Sequence, residues 1–339
     1  MTTIDARRWH DPAEITQVAT TALAAHGVAE AREVAEVLVE TSLLGVHTHG
    51  VRLLGSYLDE LRRSVATATP EIVIVKDTGP VVQVDAGDAL GVVAALHGAR
   101  LAVQRAKTHG IGLIGVRRSN HFGAAGCYAR RIAAHGLVGL VTTSAAARVA
   151  PFNGVDPLLG TNPVALAYGD RFCLDMATSQ VCFGEIKERG RADRALEPGW
   201  AVDVDGVGTL DASRARGLAP LGGYKGQGLG MAVTLLTAVL VGGPLDFEMA
   251  HVGTARHGRG VAHLLLAIDP EVLGGAEAAT AALARLLDAT QGSRAADPAR
   301  PVLVPGDPQH RNRERQLAQG IELDAATIAL LDTLERDPR

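Results

Sequence analysis

Helical and strand-like patterns of apolar residues alternate along the chain. Asp11-Pro12-Ala13-Glu14 combines an N-cap residue, a proline in the first turn and an acid three residues after the cap, which predicts a helix ending near His26. Apolar positions at helical spacing predict further helices over residues 29–44, 90–108, 124–136, 276–290 and 325–334, the last capped by Asp324. Continuous or alternating apolar runs predict strands over residues 71–77, 81–87, 111–116, 137–144 and 261–269, and a strand and turn over 302–308.

The segment from Ile111 to Ser179 carries the clearest functional signal. Its apolar runs each stop in small, hydroxyl or amide residues, and the first breaks at Arg117 before reaching His121. Small residues leave backbone N–H groups open to a ligand, so the pattern predicts a ligand-binding sheet with His121 as its titratable group. The alternative is that His121 caps a helix or is a satisfied core histidine.

Length and composition restrict the class of protein. A chain of 339 residues predicts about two domains with an ample core. Hydrophobic residues make up 47% and the formal charge is −4, with basic and acidic residues interspersed, so no basic nucleic-acid surface is indicated. Aromatic residues, at 3%, are too few for base-stacking platforms.

The expected location is the cytoplasm. The N-terminal residues lack the apolar segment of a signal peptide, and the apolar run from Met231 to Val241 is too short to cross a bilayer. Three cysteines, Cys127, Cys173 and Cys182, are odd in number and lack C-x-x-C spacing. This argues against a disulfide framework or a zinc site and fits a reducing compartment.

Two histidines flank Thr48 just before a predicted helix. H-x-H can be half of a metal site, but the carboxylate and the all-β context that such a site needs are missing, so no metal is predicted. A histidine with a hydroxyl beside it better suits a proton donor whose orientation is fixed locally, which points to His49. The alternative is a helix N-terminus without chemistry.

A glycine-rich turn over residues 221–230 opens an apolar helix. Its glycines do not form a dinucleotide fingerprint, because position 231 is methionine and no strand precedes them. It is not a P-loop either, because the G-K-[ST] sequence of that motif is missing. Free N–H groups beside Lys225 favour an anionic or carbonyl ligand. The alternative is glycine that makes room for close packing.

Seven motifs carry a family resemblance: HTHGV, NHFGAAG, APFNGVDPLLGTNP, DMATS, LGGYKGQGL, LLLAIDP and VPGDP. In this order and at these spacings, from about His26 to Leu334, they resemble the malate/L-lactate dehydrogenase family of NAD(P)H-dependent oxidoreductases. This class includes ureidoglycolate and sulfolactate dehydrogenases and the reductases of piperideine and pyrroline carboxylates. The resemblance implies an α/β fold with a non-Rossmann, largely antiparallel cofactor sheet, flanking helices and a homodimer.

The resemblance also implies a division of the chain. Residues 1–64, 137–150 and 276–339 would form a helical, dimerising domain built from both termini. Residues 65–136, 151–184 and 214–275 would form the cofactor domain, with 185–213 as a small surface excursion. A nicotinamide ring would then lie between the segment with His121 and the loop with His49.

Roles follow from the resemblance residue by residue. His49 matches the proton donor, Thr48 replaces the usual serine beside it, and Glu185 falls where imine reductases carry a charge-relaying aspartate. His121 matches a histidine assigned as proton acceptor or to the nicotinamide site. The implied cofactor-binding residues are His121, Phe122, Gly123, Ala124, Ala125, Ser144, Asp175, Met176, Ala177, Tyr224, Lys225, Pro305 and Gly306. The implied substrate residues are Arg52, Leu53, Thr161 and Phe183.

Three departures from the family pattern affect specificity. An arginine usual four residues after the motif histidine is Leu53, with Arg52 one place earlier, and a common arginine or histidine is Phe183. These two changes predict a less cationic, more apolar pocket and disfavour a small 2-oxo acid. Leu303 replaces an arginine near the C-terminus, which leaves the choice of NAD or NADP open.

The sequence therefore predicts hydride transfer between NAD or NADP and a small-molecule carbonyl of the 2-oxo/2-hydroxy acid type. A cyclic-imine reductase is the alternative, which Leu53 and Phe183 favour. A family member that binds ligand without turnover is a third possibility, disfavoured by His49, His121 and Lys225. A metal-dependent lyase using His47 and His49 is the remotest. No nucleic acid or membrane partner is predicted.

Overall fold

Most of the predicted helices and strands form within residues 8–339, the part of the chain that the computed structural model describes. The α-helices are α1 (Pro12–Ala25), α2 (Ala31–Leu43), α3 (Leu54–Arg62), α4 (Gly91–His109), α5 (Ala125–Ala133), α6 (Phe183–Arg191), α7 (Tyr224–Thr234), α8 (Ala276–Gln291), α9 (Asp307–Gln319) and α10 (Ala325–Arg336). The strands are β1 (Arg8–His10), β2 (Val73–Asp77), β3 (Val81–Asp85), β4 (Ile111–Ser119), β5 (Val138–Thr143), β6 (Val164–Tyr168), β7 (Phe172–Met176), β8 (Ala201–Val202), β9 (Gly208–Thr209), β10 (Gly217–Leu218), β11 (Val261–Ile268) and β12 (Ile321–Leu323).

The predicted caps explain where the first and last helices begin. The carboxylate of Asp11 accepts from Ala13 N at 2.7 Å, and that of Asp324 accepts from Thr327 N at 2.8 Å. Each bond satisfies an N–H that has no partner in the first turn of the helix. Both starts were predicted and both are confirmed.

A seven-stranded sheet forms the centre of the molecule, in the order β2-β3-β4-β11-β5-β6-β7. Only β3 and β4 run parallel, and the helix α4 connects them; every other neighbouring pair in this sheet is antiparallel. The expected mixed α/β fold with a largely antiparallel sheet is confirmed. Insertion of β11 between β4 and β5 brings together segments that are far apart in the sequence.

Apolar side chains fill the space between the sheet and α4 and α5. Residues of α4 such as Ala95 and Ala102 are fully buried, and so are Ile114 and Val116 of β4. Gly98 lies where a Cβ atom would come 2.8 Å from the side chain of Leu265, so only glycine lets α4 approach β11 this closely. Buried alanines and glycine thus set a short distance between helix and sheet.

Helices from both ends of the chain pack together beside the sheet. α1 contacts α2 and α10, α2 contacts α9, and β1 pairs with β12, so the N- and C-terminal segments share one core. α3 belongs to this unit and turns one buried face towards the loop after β4. The sequence placed 137–150 with these helices, but β5 lies between β11 and β6, so 138–143 belong to the sheet.

Other segments also differ from the prediction. β4 continues to Ser119 instead of breaking at Arg117, because Arg117 pairs with Asp85 of β3 in the sheet. The side chains of Arg117 and Arg118 also form ion pairs with the carboxylate of Asp85. Residues 302–304 form no strand, since Val304 N donates to the side chain of Asp307 at the start of α9. α9 was missed because its sequence, DPQHRNRERQLAQ, has almost no apolar positions.

Residues 185–213, predicted as a surface excursion, contain most of α6 and the strands β8 and β9. With β10 these strands form a small sheet, in the order β10-β8-β9, around a separate cluster of buried apolar residues. That cluster includes Ile186, Leu196 and Leu218. No helix of the described residues is both long enough and apolar enough to cross a membrane.

Candidate active site

One edge of the central sheet collects the segments that the sequence singled out. The ends of β4, β5 and β7 and the starts of β11 and β6 all lie there, as the pairs Ser119–Val261, Thr142–Val164 and Val164–Met176 show. The antiparallel neighbours bring a strand end beside a strand start. The loops carrying His121, Ser144 and Thr161 therefore meet at this edge.

His121 lies in the loop after β4 and is held through its Nδ1 atom. Tyr57 Oη is 2.9 Å from Nδ1, and Gly123 N donates to the same atom at 3.3 Å. An acceptor at Nδ1 leaves the proton of the neutral ring on Nε2. Burial lowers the pKa of His121 well below its usual value, and the charges of His49 and Arg259 add to this effect.

His49 ends the short 3₁₀ helix His47–His49 and faces His121 across the cleft. The two ring centroids are 5.8 Å apart, with 27° between the planes. Thr48 Oγ1 is 2.8 Å from His49 Nδ1, which fixes the orientation of the imidazole and leaves Nε2 for chemistry. Burial lowers the pKa of His49 to about 4, so the ring is neutral at pH 7.

Glycine allows the two histidine loops to approach each other. Gly123 has a φ of +77°, and a Cβ atom there would lie 3.3 Å from the carbonyl oxygen of His49. Any other residue would be strained in this left-handed conformation and would push the loops apart. The close approach of His49 and His121 therefore depends on this glycine.

The cleft beside the two imidazoles has a volume of about 370 Å³. All four residues predicted to contact substrate line it: Arg52, Leu53, Thr161 and Phe183. Thr48 and four further basic side chains also line it: Arg148, Lys187, Arg191 and Arg259. The guanidinium of Arg148 stacks on the ring of Phe183 at 4.2 Å. Residues far away in the sequence therefore supply positive charge to the cleft, which the prediction from Leu53 and Phe183 did not take into account.

Glu185 lines a neighbouring cleft of about 390 Å³, which Thr48 and Arg52 also line. Glu185 accepts from Arg189 Nε at 3.3 Å, and no hydrogen bond joins it to His49 in the described part of the chain. Arg52 pairs with Glu188 at 3.4 Å and lies 3.8 Å from Asp324. Thr48, Arg52 and Cys182 line both clefts and so connect Glu185 with the imidazole pair.

A small enclosed cavity of about 40 Å³ continues the cleft inwards. His49, His121, Phe122, Gly123, Ser144 and Thr161 line it, so four predicted cofactor residues and two predicted catalytic residues meet there. The side chain of Phe122 is buried and stacks on His263 at 4.7 Å, and the hydroxyl of Ser144 bonds to the backbone of Ala262. The side chains of Phe122 and Ser144 thus stabilise the loops after β4 and β5, and the backbone of these loops remains available to contact a ligand.

The start of α5 adjoins β7 through Asp175. Ala124 is the N-cap residue of α5, Ala125 begins it, and Gly126 N donates to Asp175 Oδ2 at 2.9 Å. Burial raises the pKa of Asp175 to about 6. Met176 and Ala177 follow at the same sheet edge, half-buried. Small residues and a carboxylate there suit the hydroxyl groups of a ribose.

Four predicted cofactor residues lie away from the imidazole pair. Tyr224, 65% exposed, and Lys225 lie on the surface at the start of α7. Pro305 O accepts from Cys173 N at 3.1 Å, so Pro305 and Gly306 lie beside β7. The structure does not bring these four residues to the cleft that His49 lines.

The expected position of the nicotinamide does not fit the distance between the imidazoles. A planar ring in contact with both would need about 7 Å, that is, two carbon–carbon contacts of about 3.5 Å. The centroids are 5.8 Å apart. A nicotinamide must therefore lie beside the pair, or His49 and His121 must separate.

Sequence reasoning missed three polar residues at this edge. His263 is fully buried in β11, with Nδ1 2.7 Å from Thr143 Oγ1 and Nε2 2.7 Å from Ser119 Oγ. Arg259, just before β11, lines the cleft and the small cavity. Tyr57 holds His121 from α3. A polar residue within an apolar run was the available signal for His263; Arg259 and Tyr57 gave none.

Within residues 8–339, no group of three or more His, Cys, Asp or Glu side chains is arranged to hold a metal ion. Cys127, Cys173 and Cys182 are free thiols, and Cys182 lines the cleft beside Thr48.

Known proteins are similar in sequence to this chain over most of its length. The family model described as malate/L-lactate dehydrogenase matches residues 10–332. L-sulfolactate dehydrogenase of Methanocaldococcus jannaschii is 33% identical over 307 residues, 87% of this chain and 86% of the relative. Ureidoglycolate dehydrogenase (NAD(+)) of Escherichia coli is 30% identical, over 86% of this chain and 85% of its own. (2R)-3-sulfolactate dehydrogenase (NADP(+)) of Chromohalobacter salexigens is 34% identical, over 76% and 80%.

Solved structures agree with this relationship. A dehydrogenase from Sinorhizobium meliloti has a TM-score of 0.91 and 34% identity, covering 98% of this chain and 99% of the other. The delta1-piperideine-2-carboxylate reductase of Pseudomonas syringae has a TM-score of 0.84 and 28% identity, covering 96% and 99%. The chain therefore belongs to the malate/L-lactate dehydrogenase family and is an NAD(P)-dependent oxidoreductase.

Proposed function

We propose that the protein catalyses reversible hydride transfer between NAD or NADP and the C2 atom of a 2-hydroxy acid, with His49 exchanging the proton. The observation that carries this proposal is the pairing of His49 and His121 at the closed end of a cleft lined by basic side chains. The names of the relatives, sulfolactate and ureidoglycolate dehydrogenases, are consistent with an acidic hydroxy substrate.

His49 is in the right protonation state to remove a proton from a hydroxyl group. Burial lowers its pKa to about 4, so the free ring is neutral at pH 7 and can act as a base. In the reverse direction it must be protonated, and an anionic substrate in the cleft favours the charged form. Thr48 keeps the ring oriented through Nδ1.

His121 would bind and orient without transferring a proton. Its Nδ1 accepts from Gly123 N, so its Nε2–H is a donor for a carbonyl or hydroxyl oxygen on the substrate or cofactor. Glu185 would act on His49 only through an intervening group, because its carboxylate bonds to Arg189.

The residues around the sheet edge fit a dinucleotide. When bound, the cofactor supplies the hydride acceptor or donor at its nicotinamide ring. Residues 121–125 offer an open backbone, and Asp175 offers a carboxylate to a ribose hydroxyl group. The parallel unit β3–α4–β4 lacks a glycine fingerprint, which supports the expected non-Rossmann mode of binding. Tyr224, Lys225, Pro305 and Gly306 would hold parts of the cofactor remote from the nicotinamide.

A homodimer would cover an apolar helix. Residues 226–245 contain no charged side chain, and α7 with its π-helical continuation, Leu235–Val239, exposes apolar residues on its outer face. Leu229, Met231, Leu235, Leu236, Val239 and Leu240 are between 38% and 65% exposed. A helix that is apolar on every side is normally buried in an assembly. Val239→Lys with Leu240→Glu should give monomers in light scattering; an unchanged mass would refute this interface.

The direct test is a substrate panel. Purified protein is assayed at 340 nm with NAD+ or NADP+ and L-lactate, L-malate, L-sulfolactate and ureidoglycolate, and with NADH or NADPH and the matching oxo acids. We expect turnover of at least one hydroxy acid. No absorbance change with any acid and either cofactor would overturn the proposal.

A cyclic-imine reductase is the second candidate. Leu53 and Phe183 both line the cleft and give it apolar surface, and the chain resembles the solved piperideine-carboxylate reductase. Adding piperideine-2-carboxylate and pyrroline-2-carboxylate to the NADH and NADPH assays separates the two. Faster reduction of these imines than of every oxo acid would favour the imine reductase.

We also propose a cytoplasmic location, which three free thiols support.

A further inference from the structure

Arg259 is a buried cation at the inner end of the cleft. The residue is 6% exposed, lies two residues before β11, and lines both the cleft and the small cavity next to His49 and His121. Its backbone N–H donates to Asn120 Oδ1 at 3.2 Å, and its Nε donates to Ala250 O at 3.1 Å. These bonds fix the stem of the side chain and the orientation of the guanidinium.

Glu60 balances the charge of Arg259 but forms no hydrogen bond with its terminal Nη1 group. Glu60 Oε1 lies 3.7 Å from Arg259 Nη1, which is an ion pair but longer than a hydrogen bond. Nη1 of Arg259 and both carboxylate oxygens of Glu60 have no hydrogen-bond partner in the described part of the chain. A buried guanidinium with an unused donor is costly unless a ligand completes it.

One face of α3 holds the polar groups that contact His121 and Arg259. Tyr57 and Glu60 are three residues apart on this helix, so they project from one side. Tyr57 bonds to His121, and Glu60 pairs with Arg259. The helix thus sets the position of the guanidinium relative to the imidazoles.

The other basic residues of the cleft are less suitable as an anchor at the reacting carbon. The side chain of Arg52 is 26% exposed and already pairs with Glu188 and Asp324. Arg148 and Lys187 lie over the ring of Phe183, at 4.2 and 5.4 Å from its centroid. Neither these three residues nor Arg191 line the small cavity with His49 and His121, whereas Arg259 does.

We propose that Arg259 is the residue that binds the C1 carboxylate of the substrate and thereby sets specificity for acids. A guanidinium can bind a carboxylate through two parallel N–H groups, which would place the adjoining C2 hydroxyl next to His49. Glu60 is a positioning residue that holds the guanidinium between turnovers. The role of Arg259 at C2 rests on the proposed function, but its binding of a carboxylate is tested separately.

The first experiment measures binding of oxalate, a small dicarboxylate, by calorimetry. Arg259→Gln should weaken oxalate binding by about 30-fold or more, the usual effect of removing one partner from a buried charged contact. The matched control is Arg256→Gln, which removes a positive charge from an exposed position in the same loop. Exposed charges are screened by salt, so the control should stay within about twofold at 0.15 M salt.

The second experiment compares a hydroxy acid with its C1 amide. For the wild-type protein, kcat/KM for the acid that the panel identifies, such as L-lactate, is compared with that for L-lactamide. Arg259→Gln should lower kcat/KM for the acid by about 30-fold or more and for the amide by less than about threefold. A merely structural role would lower both values equally and leave their ratio unchanged.

Two further variants keep the test decisive if Arg259→Gln does not fold. Glu60→Gln with Arg259→Met removes both buried charges and should lose oxalate binding while keeping a cooperative melting transition. Glu60→Gln alone keeps the guanidinium but loosens its position, so its affinity for oxalate should lie between those of the wild type and the double variant.

Equal affinity for oxalate in wild type and in the Arg259 variants, or no binding to wild type, would overturn the role of Arg259. Oxalate binding that depends on Arg259 in a protein that turns over no hydroxy acid would keep the anion site and reject the proposed function. The two failures are therefore distinguishable.

Discussion

His121 and His263 lie at the same edge of the sheet, but their hydrogen bonds differ. Both nitrogens of His263 bond to hydroxyl groups in the core, at 2.7 Å each. His121 is bonded at Nδ1, and within the described residues no protein group bonds to its Nε2, which is on the side of the cleft. Burial lowers the pKa of both rings, so a low pKa alone does not identify the functional histidine.

The difference lies in which polar atoms remain for a ligand. His263 is a satisfied core histidine, the alternative that the sequence left open for His121. His49 resembles His121, because Thr48 bonds to one nitrogen and leaves the other in the cleft. We therefore expect substitutions of His49 and His263 to affect different properties, turnover in the first case and folding in the second.

The largest expected effect is that of His49→Ala on turnover. Loss of a positioned acid or base typically costs roughly 10²–10⁴ in rate. We expect kcat to fall by that factor. NADH binding, measured by fluorescence quenching, and the melting temperature should change little. His47→Ala, which removes the other imidazole of the same 3₁₀ helix, is the control and should keep turnover within about tenfold. Near-normal kcat for His49→Ala would refute its role.

His263→Leu should instead reduce stability. The leucine would leave the buried Ser119 hydroxyl without its partner and remove the stacking of the ring on Phe122. Losing a buried hydrogen bond and stranding its partner should lower the free energy of unfolding by about 2–4 kcal/mol. Urea unfolding measures this change. Unchanged stability together with lost turnover would reverse our assignment of the two histidines.

Acid should destabilise the protein through the same ring. Burial lowers the pKa of His263 to about 3, below the value near 6.5 in the unfolded chain. The unfolded state then binds a proton that the folded state does not, so stability is full above pH 6.5 and is lost as the pH falls towards 3. The loss is about 1.4 kcal/mol per pH unit for this group. Stability curves from pH 7 to 5 should be shallower for His263→Leu, and equal slopes would contradict this.

Local features were predictable from the sequence. The caps at Asp11 and Asp324 depend on residues within one turn, and both helices begin where predicted. The small residues after the strands also indicated a binding edge, and the seven motifs indicated the family. The pairing of β11 between β4 and β5 was not predictable, because it joins segments more than a hundred residues apart.

The charge of the cleft shows the limit of reasoning from single positions. Through the family resemblance, Leu53 and Phe183 predicted a less cationic and more apolar pocket. Arg148 and Arg259 line the cleft from other loops and supply positive charge. Only the tertiary structure reveals that these two arginines line the cleft, since neither lies in a recognisable motif.

The smallest predicted effect concerns the hydroxyl of Tyr57. Tyr57→Phe removes the bond to His121 Nδ1 but keeps the buried ring, so the fold should persist. A hydrogen bond of this kind contributes about 1 kcal/mol, which corresponds to a fall in kcat/KM of about fivefold.

Spectroscopy tests whether Tyr57 acts through His121. Without the tyrosine O–H, Gly123 N is the remaining donor to Nδ1, at the longer distance of 3.3 Å, so a larger share of His121 should carry its proton on Nδ1. Two-dimensional ¹⁵N spectra of the imidazole distinguish the two tautomers. Tyr168→Phe, whose hydroxyl bonds to Thr280 at 3.0 Å, is the control. If Tyr57→Phe lowers kcat/KM without changing the His121 signals, the tyrosine does not act through His121. The bond from Tyr57 to Nδ1 would then not explain why His121 differs from His263.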